Sequence, residues 1–181
     1  MLKVAITGGI GEGKSTVLGY LREMGYRTAS ADDIARKVFE SEAVQDRLGE
    51  MLQVQKPVTP PDLREHLWEN TNLRRSVNAL MHPLILQGMH DLKADVIEIP
   101  LLIETCLQGH FKNVWVVTCG PDEQRSRLRA RLGPDTDVDA ILASQLPTEV
   151  KSAFADVIVR TNRPPEDVIR FITAVARRSF N

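Results

Sequence analysis

The residues with the clearest chemical potential form a glycine-rich loop near the start of the 181-residue chain. The loop fits the phosphate-binding pattern G-x-x-x-x-G-K-[ST] at Gly8, Gly13, Lys14 and Ser15. Lysine in this pattern bridges the β- and γ-phosphates of a nucleotide, and the hydroxyl residue holds Mg²⁺. A β-branched run over Leu2–Thr7 precedes the loop, and a helix-compatible segment follows it. These flanks disfavour the alternative, a plain glycine-rich turn, so the loop predicts a polyphosphate site.

Two carboxylates follow later predicted strands and could act at the same edge of a sheet. Asp32 comes just after a short strand over residues 26–30, where it could take a proton from an acceptor hydroxyl or help hold Mg²⁺. Alternatively, Asp32 caps a helix that begins at Asp33, and one residue can do both. Glu98, near the end of a strand over residues 95–99, could orient Mg²⁺ through water or be a half-exposed strand carboxylate.

Four arginines lie close together on one short predicted helix, at Arg125, Arg127, Arg129 and Arg131. Arg127 and Arg131 share a face because they are four residues apart. Over a triphosphate, such arginines could clamp the transferring phosphoryl group and exclude water. The alternative is a solvated helix face beside the acidic residues at the start of the helix.

Strands that alternate with helices predict a parallel sheet in an α/β layered fold. Further strands are expected at residues 113–118 and 157–159, and helices at residues 122–132, 138–146 and 165–179. Between the second and third strands, residues 32–93 are helical throughout and suggest an inserted subdomain on the substrate side. Within this block, Thr71 or Asn72 is expected to cap a helix, and Pro83 to mark a helix junction.

Composition limits the possible partners of the protein. The net charge of −1 provides no overall positive field for nucleic acid or an anionic membrane surface. The apolar runs are too short and too often interrupted by charge to span a bilayer, and the N-terminus shows no export signal. Cys106 and Cys119 form no C-x-x-C pair and indicate two reduced thiols. We therefore expect a cytoplasmic protein; the sequence does not indicate an oligomeric state.

The chain as a whole resembles the dephospho-coenzyme A kinase family. The resemblance rests on several segments in the right order: the loop at residues 6–16, Ala31-Asp32-Asp33-Ile34-Ala35-Arg36, Leu80-Met81-His82-Pro83-Leu84-Ile85 and Ile99-Pro100-Leu101-Leu102-Ile103-Glu104. The last of these resembles the family's Pro-Leu-Leu-x-Glu signature, the most specific of the set. Gln124, Gln145, Ala155 and Asp156, with the arginines at 127 and 131, continue the resemblance almost to the end of the chain.

This resemblance implies a three-layer P-loop kinase fold with a parallel sheet of about five strands. The core would comprise about residues 1–31, 94–121 and 147–181, the helical substrate subdomain about 32–93, and a lid about 122–146. It implies that ATP, with Mg²⁺, phosphorylates the ribose 3′-hydroxyl of dephospho-coenzyme A. Alternatives are a related small-molecule or nucleotide kinase, or a nucleotide-dependent switch. The N-K-x-D motif expected of a guanine-selective switch is missing from the sequence.

The resemblance also assigns site residues. Lys14 and Asp32 are expected to be catalytic. The expected nucleotide contacts are Gly9, Gly11, Glu12, Gly13, Lys14, Ser15 and Thr16, with Arg127 and Arg131 from the lid. The expected acceptor contacts are Asp32, Arg36, His82 and Glu104, and the expected Mg²⁺ ligands are Ser15 and Glu98.

Two departures from the family pattern concern the acceptor side. The family usually has Asp-Ala-Asp where this chain has Ser30-Ala31-Asp32, so the first carboxylate is missing and Glu98 is the candidate to replace it. The family also tends to have Asp-Arg or Asn-Arg where Thr59-Pro60 stands here. Neither change touches the loop, Asp32 or the lid arginines.

Overall fold

A computed structural model describes residues 1–180. The chain divides into two compact units. The first unit combines Met1–Ser30 with the chain from Ala94 onward and contains the sheet. The second unit, Ala31–Lys93, is helical.

The sheet has five strands, all parallel, in the order β2-β3-β1-β4-β5. The strands are β1 (Leu2–Thr7), β2 (Thr28–Ser30), β3 (Val96–Glu98), β4 (Phe111–Thr118) and β5 (Val157–Arg160). The expected α/β fold with a parallel sheet of about five strands is confirmed. The strands form where apolar, β-branched residues run almost without interruption, as in sheets covered on both faces.

Along residues 1–180, helices are numbered in chain order. They are α1 (Lys14–Glu23), α2 (Ala31–Glu40), α3 (Glu42–Leu52), α4 (Pro60–Leu67), α5 (Thr71–Asp91), α6 (Pro121–Leu132), α7 (Val138–Ala143), α8 (Thr148–Ser152) and α9 (Pro165–Ser179). A short 3₁₀ turn at Gln108–His110 precedes β4. No helix within these residues is both long enough and apolar enough to span a membrane.

The core of the first unit lies between the central strands and the helices α1 and α9. Val4 and Ile6 of β1 and Trp115 of β4 are buried in the same apolar cluster as Leu21 of α1 and Ile172 of α9. In the register of the sheet, Ile6 lies beside Glu98 of β3 on one side and beside Trp115 on the other. Because all strands are parallel, their carboxyl ends meet at one edge, where the loop after β1 begins.

The second unit packs α5 against α2, α3 and α4. Its apolar centre is formed by Val44, Leu48, Leu52, Val58 and Val77, all buried. Burial of this shared face stabilises the helices, because a single exposed helix of such length is marginal in water.

The structure corrects the prediction of a helix junction at Pro83. Helix α5 runs through Pro83 without a break and is capped at its start by Asn70, whose side chain accepts a hydrogen bond from Leu73 N at 3.0 Å. The expected caps Thr71 and Asn72 are therefore wrong. Proline costs one backbone hydrogen bond, but buried residues on both sides of it hold the helix in place, Val77 and Met89.

Three further boundaries differ from expectation. Helix α2 begins at Ala31, so Asp32 lies in its first turn, and the interpretation of Asp32 as the cap of a helix starting at Asp33 is wrong. Helix α7 ends at Ala143, earlier than predicted, and the separate helix α8 follows Pro147. Proline cannot extend a preceding helix but readily opens a new one, which explains the interruption.

Candidate active site

The loop between β1 and α1 adopts a backbone that only glycine allows at two critical points. Gly13 has φ of +91°, and a Cβ atom there would lie 2.9 Å from the Thr161 hydroxyl oxygen. Gly8 has φ of +147°, and a Cβ atom there would lie 2.4 Å from the carbonyl oxygen of Val117. The loop is therefore pressed against the carboxyl ends of β4 and β5, with its N–H groups available to an anion.

Lys14, the first residue of α1, holds its ammonium group over this loop. The Nζ atom donates hydrogen bonds to the carbonyl oxygens of Gly8 at 3.1 Å and Gly9 at 2.9 Å. The amino end of α1 carries the positive end of the helix dipole at the same place. Both features favour a bound polyphosphate.

A cavity of about 520 Å³ opens in front of the loop. The predicted residues that line it are Gly11, Gly13, Lys14, Ser15, Thr16, Glu98, Arg127 and Arg131. The structure therefore brings together most of the expected nucleotide contacts and both expected Mg²⁺ ligands. Gly9 instead lines a second cavity of about 610 Å³ beside α6 and α7.

Sequence reasoning missed six residues of this cavity: Ile10, Tyr20, Thr161, Arg163, Pro165 and Val168. Thr161 and Arg163 directly follow β5, so the rule that carboxyl ends of parallel strands share one edge could have found them. Within residues 1–180, the guanidinium groups of Arg131 and Arg163 have neither a hydrogen bond nor an ion pair. Cations that line a cavity without forming an ion pair favour an anionic ligand.

Arg127 is held by three hydrogen bonds. Its guanidinium group donates to the Glu123 carboxylate at 2.8 Å, to the Thr161 hydroxyl oxygen at 3.1 Å and to the Thr161 carbonyl oxygen at 2.9 Å. The Thr161 hydroxyl in turn donates to the carbonyl oxygen of Glu12 in the loop at 2.7 Å. Arg127 is thus fixed at the rim of the cavity by Glu123 and Thr161, and Thr161 connects it to the loop.

The four arginines of α6 do not act together. Arg125 lies beside the second cavity and pairs with Asp139 at 3.1 Å, and Arg129 is exposed. The buried side chains of α6 contact the loop instead: Gln124 donates to the Ile10 carbonyl oxygen at 2.8 Å, and Leu128 is buried. Each of the two interpretations of this helix therefore applies to one pair of arginines. Arg127 and Arg131 line the cavity, whereas Arg125 forms a local ion pair and Arg129 faces solvent.

Ser30 and Glu98 lie side by side at the carboxyl ends of β2 and β3. Glu98 also lines the cavity together with Ser15. Carboxylate and hydroxyl oxygens are the ligands that Mg²⁺ prefers, so this donor set fits the ion. Glu98 is also adjacent to the position where the family's first carboxylate is replaced by Ser30.

Glu104 has well-defined partners within the first unit. Its Oε1 atom pairs with Lys151 Nζ at 2.8 Å and accepts from Leu146 N at 3.1 Å. Partial burial raises the pKa of the Glu104 carboxyl, but the hydrogen bonds and charge of Lys151 outweigh it, so the pKa falls below its ordinary value. Lys151 is fully buried and also donates to the Pro100 carbonyl oxygen at 2.9 Å, so α8 fixes both ends of residues 100–104.

The remaining predicted acceptor residues belong to the second unit. Asp32 and Arg36 are exposed and lie four residues apart, on one face of α2. Arg36 pairs with Asp33 at 2.8 Å. His82 is half-buried in the interior of α5, where the sequence had suggested a helix end.

The two cysteines differ in environment. Cys106 is exposed, whereas Cys119, directly after β4, is buried. Burial raises the pKa of the Cys119 thiol to about 11.

With the geometry of the site in place, comparison with known proteins identifies the family. The sequence model of dephospho-CoA kinase matches residues 2–166. The chain belongs to the dephospho-CoA kinase family. Dephospho-CoA kinase from Escherichia coli (strain K12) is 34% identical over 178 residues, which cover 91% of this chain and 86% of that protein.

The fold of this chain is similar to the folds of solved structures, one of them a dephospho-CoA kinase. A crystal structure of a Thermus thermophilus protein is 25% identical, with a TM-score of 0.79, and covers 98% of this chain and 97% of its own. Dephospho-CoA kinase from Campylobacter jejuni is 24% identical, with a TM-score of 0.69, and covers 99% of this chain and 98% of its own. The expected three-layer P-loop kinase fold is therefore confirmed along almost the whole chain.

Proposed function

We propose that the chain transfers the γ-phosphoryl group of ATP to the ribose 3′-hydroxyl of dephospho-coenzyme A, giving coenzyme A and ADP. The observation that carries the proposal is the cationic cavity in front of the loop, in a chain whose family is dephospho-CoA kinase. The cavity supports a triphosphate donor, and family membership supports the acceptor. The protein is proposed to act as a cytoplasmic enzyme.

On the donor side, the loop from Gly9 to Thr16 binds the phosphates through its N–H groups. Lys14 stabilises the charge that develops on the transferring phosphoryl group, because its ammonium lies at the loop and moves from carbonyl oxygens to phosphate oxygens. Arg127 and Arg131 contact the phosphates from the segment 122–146, which acts as the lid. Arg163 extends the same cationic lining from the other side of the sheet edge.

Mg²⁺ would be held by the Ser15 hydroxyl and, directly or through water, by the Glu98 carboxylate. Its chemistry in this setting is neutralisation of phosphate charge. Glu98 supplies the carboxylate beside Ser30 that the family pattern has at Ser30 itself.

On the acceptor side, Asp32 accepts the proton of the ribose hydroxyl or orients that hydroxyl. It lies two residues after Ser30, which ends β2 at the same sheet edge as the loop. Residues 32–93 form the acceptor-binding subdomain, with Arg36 and His82 as contacts. Glu104, whose Oε1 atom is bound to Lys151, is the further proposed contact of the acceptor.

The decisive experiment is an ADP-release assay with ATP and dephospho-coenzyme A, run beside adenosine, AMP, CMP and shikimate as competing acceptors. We expect strong preference for dephospho-coenzyme A, and a phosphorylated product that carries the new group on the ribose 3′-oxygen. Preference for any competitor would overturn the proposed acceptor.

The role of Asp32 is tested by Asp32→Asn, which should lower kcat by about a hundred- to ten-thousand-fold, the usual contribution of a general base. Binding of ATP, followed by titration calorimetry, should change little. Glu40→Gln is the matched control, because Glu40 is an exposed carboxylate at the other end of α2. An unchanged kcat in Asp32→Asn would remove Asp32 from the proposed chemistry.

A further inference from the structure

Thr161, the first residue after β5, lies at the centre of a hydrogen-bond network in the nucleotide cavity. Its backbone N–H donates to the Thr118 carbonyl oxygen at 2.8 Å, which fixes it to the end of β4. Its side chain lies against the phosphate-binding loop, because a Cβ atom at Gly13 would lie 2.9 Å from the Thr161 hydroxyl oxygen. The sheet and the loop therefore set the position of this residue without the help of a ligand.

The Thr161 hydroxyl is both a donor and an acceptor, and its neighbours use both functions. Its hydrogen goes to the carbonyl oxygen of Glu12 at 2.7 Å, since the other acceptor, the Thr118 carbonyl oxygen, is 3.5 Å away. A lone pair of the same oxygen accepts from Arg127 Nη1 at 3.1 Å. One hydroxyl thus connects the loop to α6, and the direction of both hydrogen bonds is fixed.

The guanidinium group of Arg127 is oriented by Thr161 through two atoms. Nη1 donates to the Thr161 hydroxyl oxygen, and Nη2 donates to the Thr161 carbonyl oxygen at 2.9 Å. The Nε atom bonds the Glu123 carboxylate at 2.8 Å. A guanidinium group has more N–H donors than these three bonds use, so a phosphate can take the remaining N–H groups without displacing any of them.

Arg131 lies one helical turn further along α6 and lines the same cavity. Within residues 1–180, it has neither a hydrogen bond nor an ion pair. An arginine side chain that moves freely before binding loses its rotamer freedom when it binds a ligand, whereas one that is already held does not. Of these two arginines, Arg127 is therefore the one pre-organised for a phosphate.

We propose that Thr161 is a positioning residue that holds the guanidinium group of Arg127 in a fixed place beside the phosphate-binding loop, so that Arg127 contacts the triphosphate without rearrangement. This inference rests on the proposed function, because it assigns Arg127 to phosphoryl transfer. The Thr161 hydroxyl then acts on catalysis through Arg127, which distinguishes it from a hydroxyl that only stabilises the fold.

The test is a double-mutant cycle with Thr161→Val, Arg127→Ala and the combination of both. Valine has nearly the shape of threonine but lacks the hydroxyl, so Thr161→Val should lower kcat at saturating ATP by about ten-fold. Arg127→Ala should lower kcat by about a hundred-fold, and the double variant should be no slower than Arg127→Ala alone, because the hydroxyl has then lost its partner. Thr161→Ser, which keeps the hydroxyl, should retain kcat within about two-fold.

The matched control is Thr173→Val. The Thr173 hydroxyl donates to the Ile169 carbonyl oxygen at 2.8 Å within α9, and Thr173 is not among the described residues that line the cavity. This variant should leave kcat unchanged, and thermal unfolding checks that every variant is folded. Unchanged kcat in folded Thr161→Val, or an equal loss of kcat with and without Arg127, would overturn the inference.

Should Thr161→Val fail to fold, Arg127→Lys tests the same connection from the other side. Lysine keeps the positive charge but cannot bond both Thr161 oxygens as a planar fork, so kcat should fall by about ten-fold. A kcat of Arg127→Lys equal to that of the wild type would also overturn the inference.

A second readout does not depend on the acceptor. Thr161→Val should weaken binding of a non-hydrolysable ATP analogue, measured by titration calorimetry, by about five-fold in the wild-type background and not at all in the Arg127→Ala background. Equal weakening in both backgrounds would contradict the inference. Failure of the wild type to phosphorylate dephospho-coenzyme A would overturn the proposed function instead and leave the binding cycle to decide on Thr161.

Discussion

Charged side chains have different partners at the two edges of the parallel sheet. At the amino edge, Asp95 pairs with Lys3 at 2.7 Å and with Arg27 at 3.2 Å, so one carboxylate connects the chain at β1, β2 and β3. At the carboxyl edge, several cations line a cavity to which residues 1–180 contribute a single carboxylate, Glu98: Lys14, Arg127, Arg131 and Arg163.

The difference shows how to separate structural from functional charge in such a fold. Lys3 lies in β1 and Lys14 begins the helix after the loop that follows β1, and composition cannot tell the two lysines apart. The lysine at the amino edge satisfies a carboxylate, whereas the lysine at the carboxyl edge rests on backbone carbonyl oxygens that a ligand can replace. At the ligand-binding edge, the arginines Arg131 and Arg163 line a cavity without an ion pair within residues 1–180, whereas both cations of the amino edge are bound to Asp95.

The strongest test compares these two lysines. Lys14→Ala should lower kcat by about a thousand-fold or more, because it removes a donor aimed at the reacting phosphate, while the fold is retained. Lys3→Ala is the matched control and should leave kcat unchanged, with a loss of stability below about 1 kcal/mol, as for exposed ion pairs. Both are measured by the ADP-release assay and by thermal unfolding. Normal turnover in Lys14→Ala would contradict the assignment of the loop.

The arginines extend the comparison with a smaller expected effect. Arg131→Ala should raise KM for ATP by about ten-fold, because it removes a charge-assisted contact to phosphate. Arg27→Ala removes a guanidinium group of similar size from the amino edge and should leave KM unchanged. Steady-state kinetics at varied ATP separates the two variants; equal KM values would place Arg131 outside the nucleotide site.

Asp95→Asn tests the amino edge by stability and should cost about 1 to 2 kcal/mol near neutral pH, with kcat unchanged. Partial burial raises the pKa of Asp95, but hydrogen bonds from Arg27 and Lys3 outweigh it and hold the pKa well below its ordinary value of 3.8. The carboxylate is therefore bound more strongly in the folded state, and its contribution is present above about pH 4 and lost as the pH falls further. Urea unfolding at several pH values should show the gap between wild type and Asp95→Asn closing in acid.

The smallest predicted effect on stability concerns Glu12, whose pKa is shifted in the direction opposite to that of Asp95. Burial raises the pKa of Glu12 above its ordinary value of 4.5, despite the hydrogen bonds from Thr148 and Thr118. The folded state then holds this proton more tightly than the unfolded state, so stability falls as the pH rises through the folded pKa. Relative to wild type, Glu12→Gln should gain about 2 °C in Tm between about pH 4 and about pH 8. A constant difference in Tm would contradict this assignment.

Local sequence pattern was enough to predict those parts of the molecule whose residues are neighbours in the sequence. The loop, its flanking strand and helix, and helix α9 follow from glycine spacing and apolar periodicity, and the family resemblance is confirmed by comparison. Thr161 and Arg163 needed the sheet order as well, because β5 lies far from the loop in sequence but beside β4 in space.

Other features could not be read from local pattern because tertiary contacts override it. Pro83 would end an isolated helix, but buried residues before and after it keep α5 continuous. Lys151 stands in a short charged segment typical of a surface, yet it is fully buried because Glu104 and the Pro100 carbonyl oxygen satisfy it. Glu12 gave no signal of burial, since an acidic residue in a glycine-rich loop is normally expected to face solvent. The roles of Asp32, Arg36 and His82 stay predictions.

The contrast between the two cysteines makes the molecule convenient to label. A thiol reagent attacks the thiolate, and with a pKa of about 11 and a buried sulfur, Cys119 offers very little of it near neutral pH. Cys106 is exposed and lies two residues after Glu104, so a maleimide fluorophore should attach there at a single position. Without any engineered cysteine, the dye would report on residues 100–104 as nucleotide and acceptor are added.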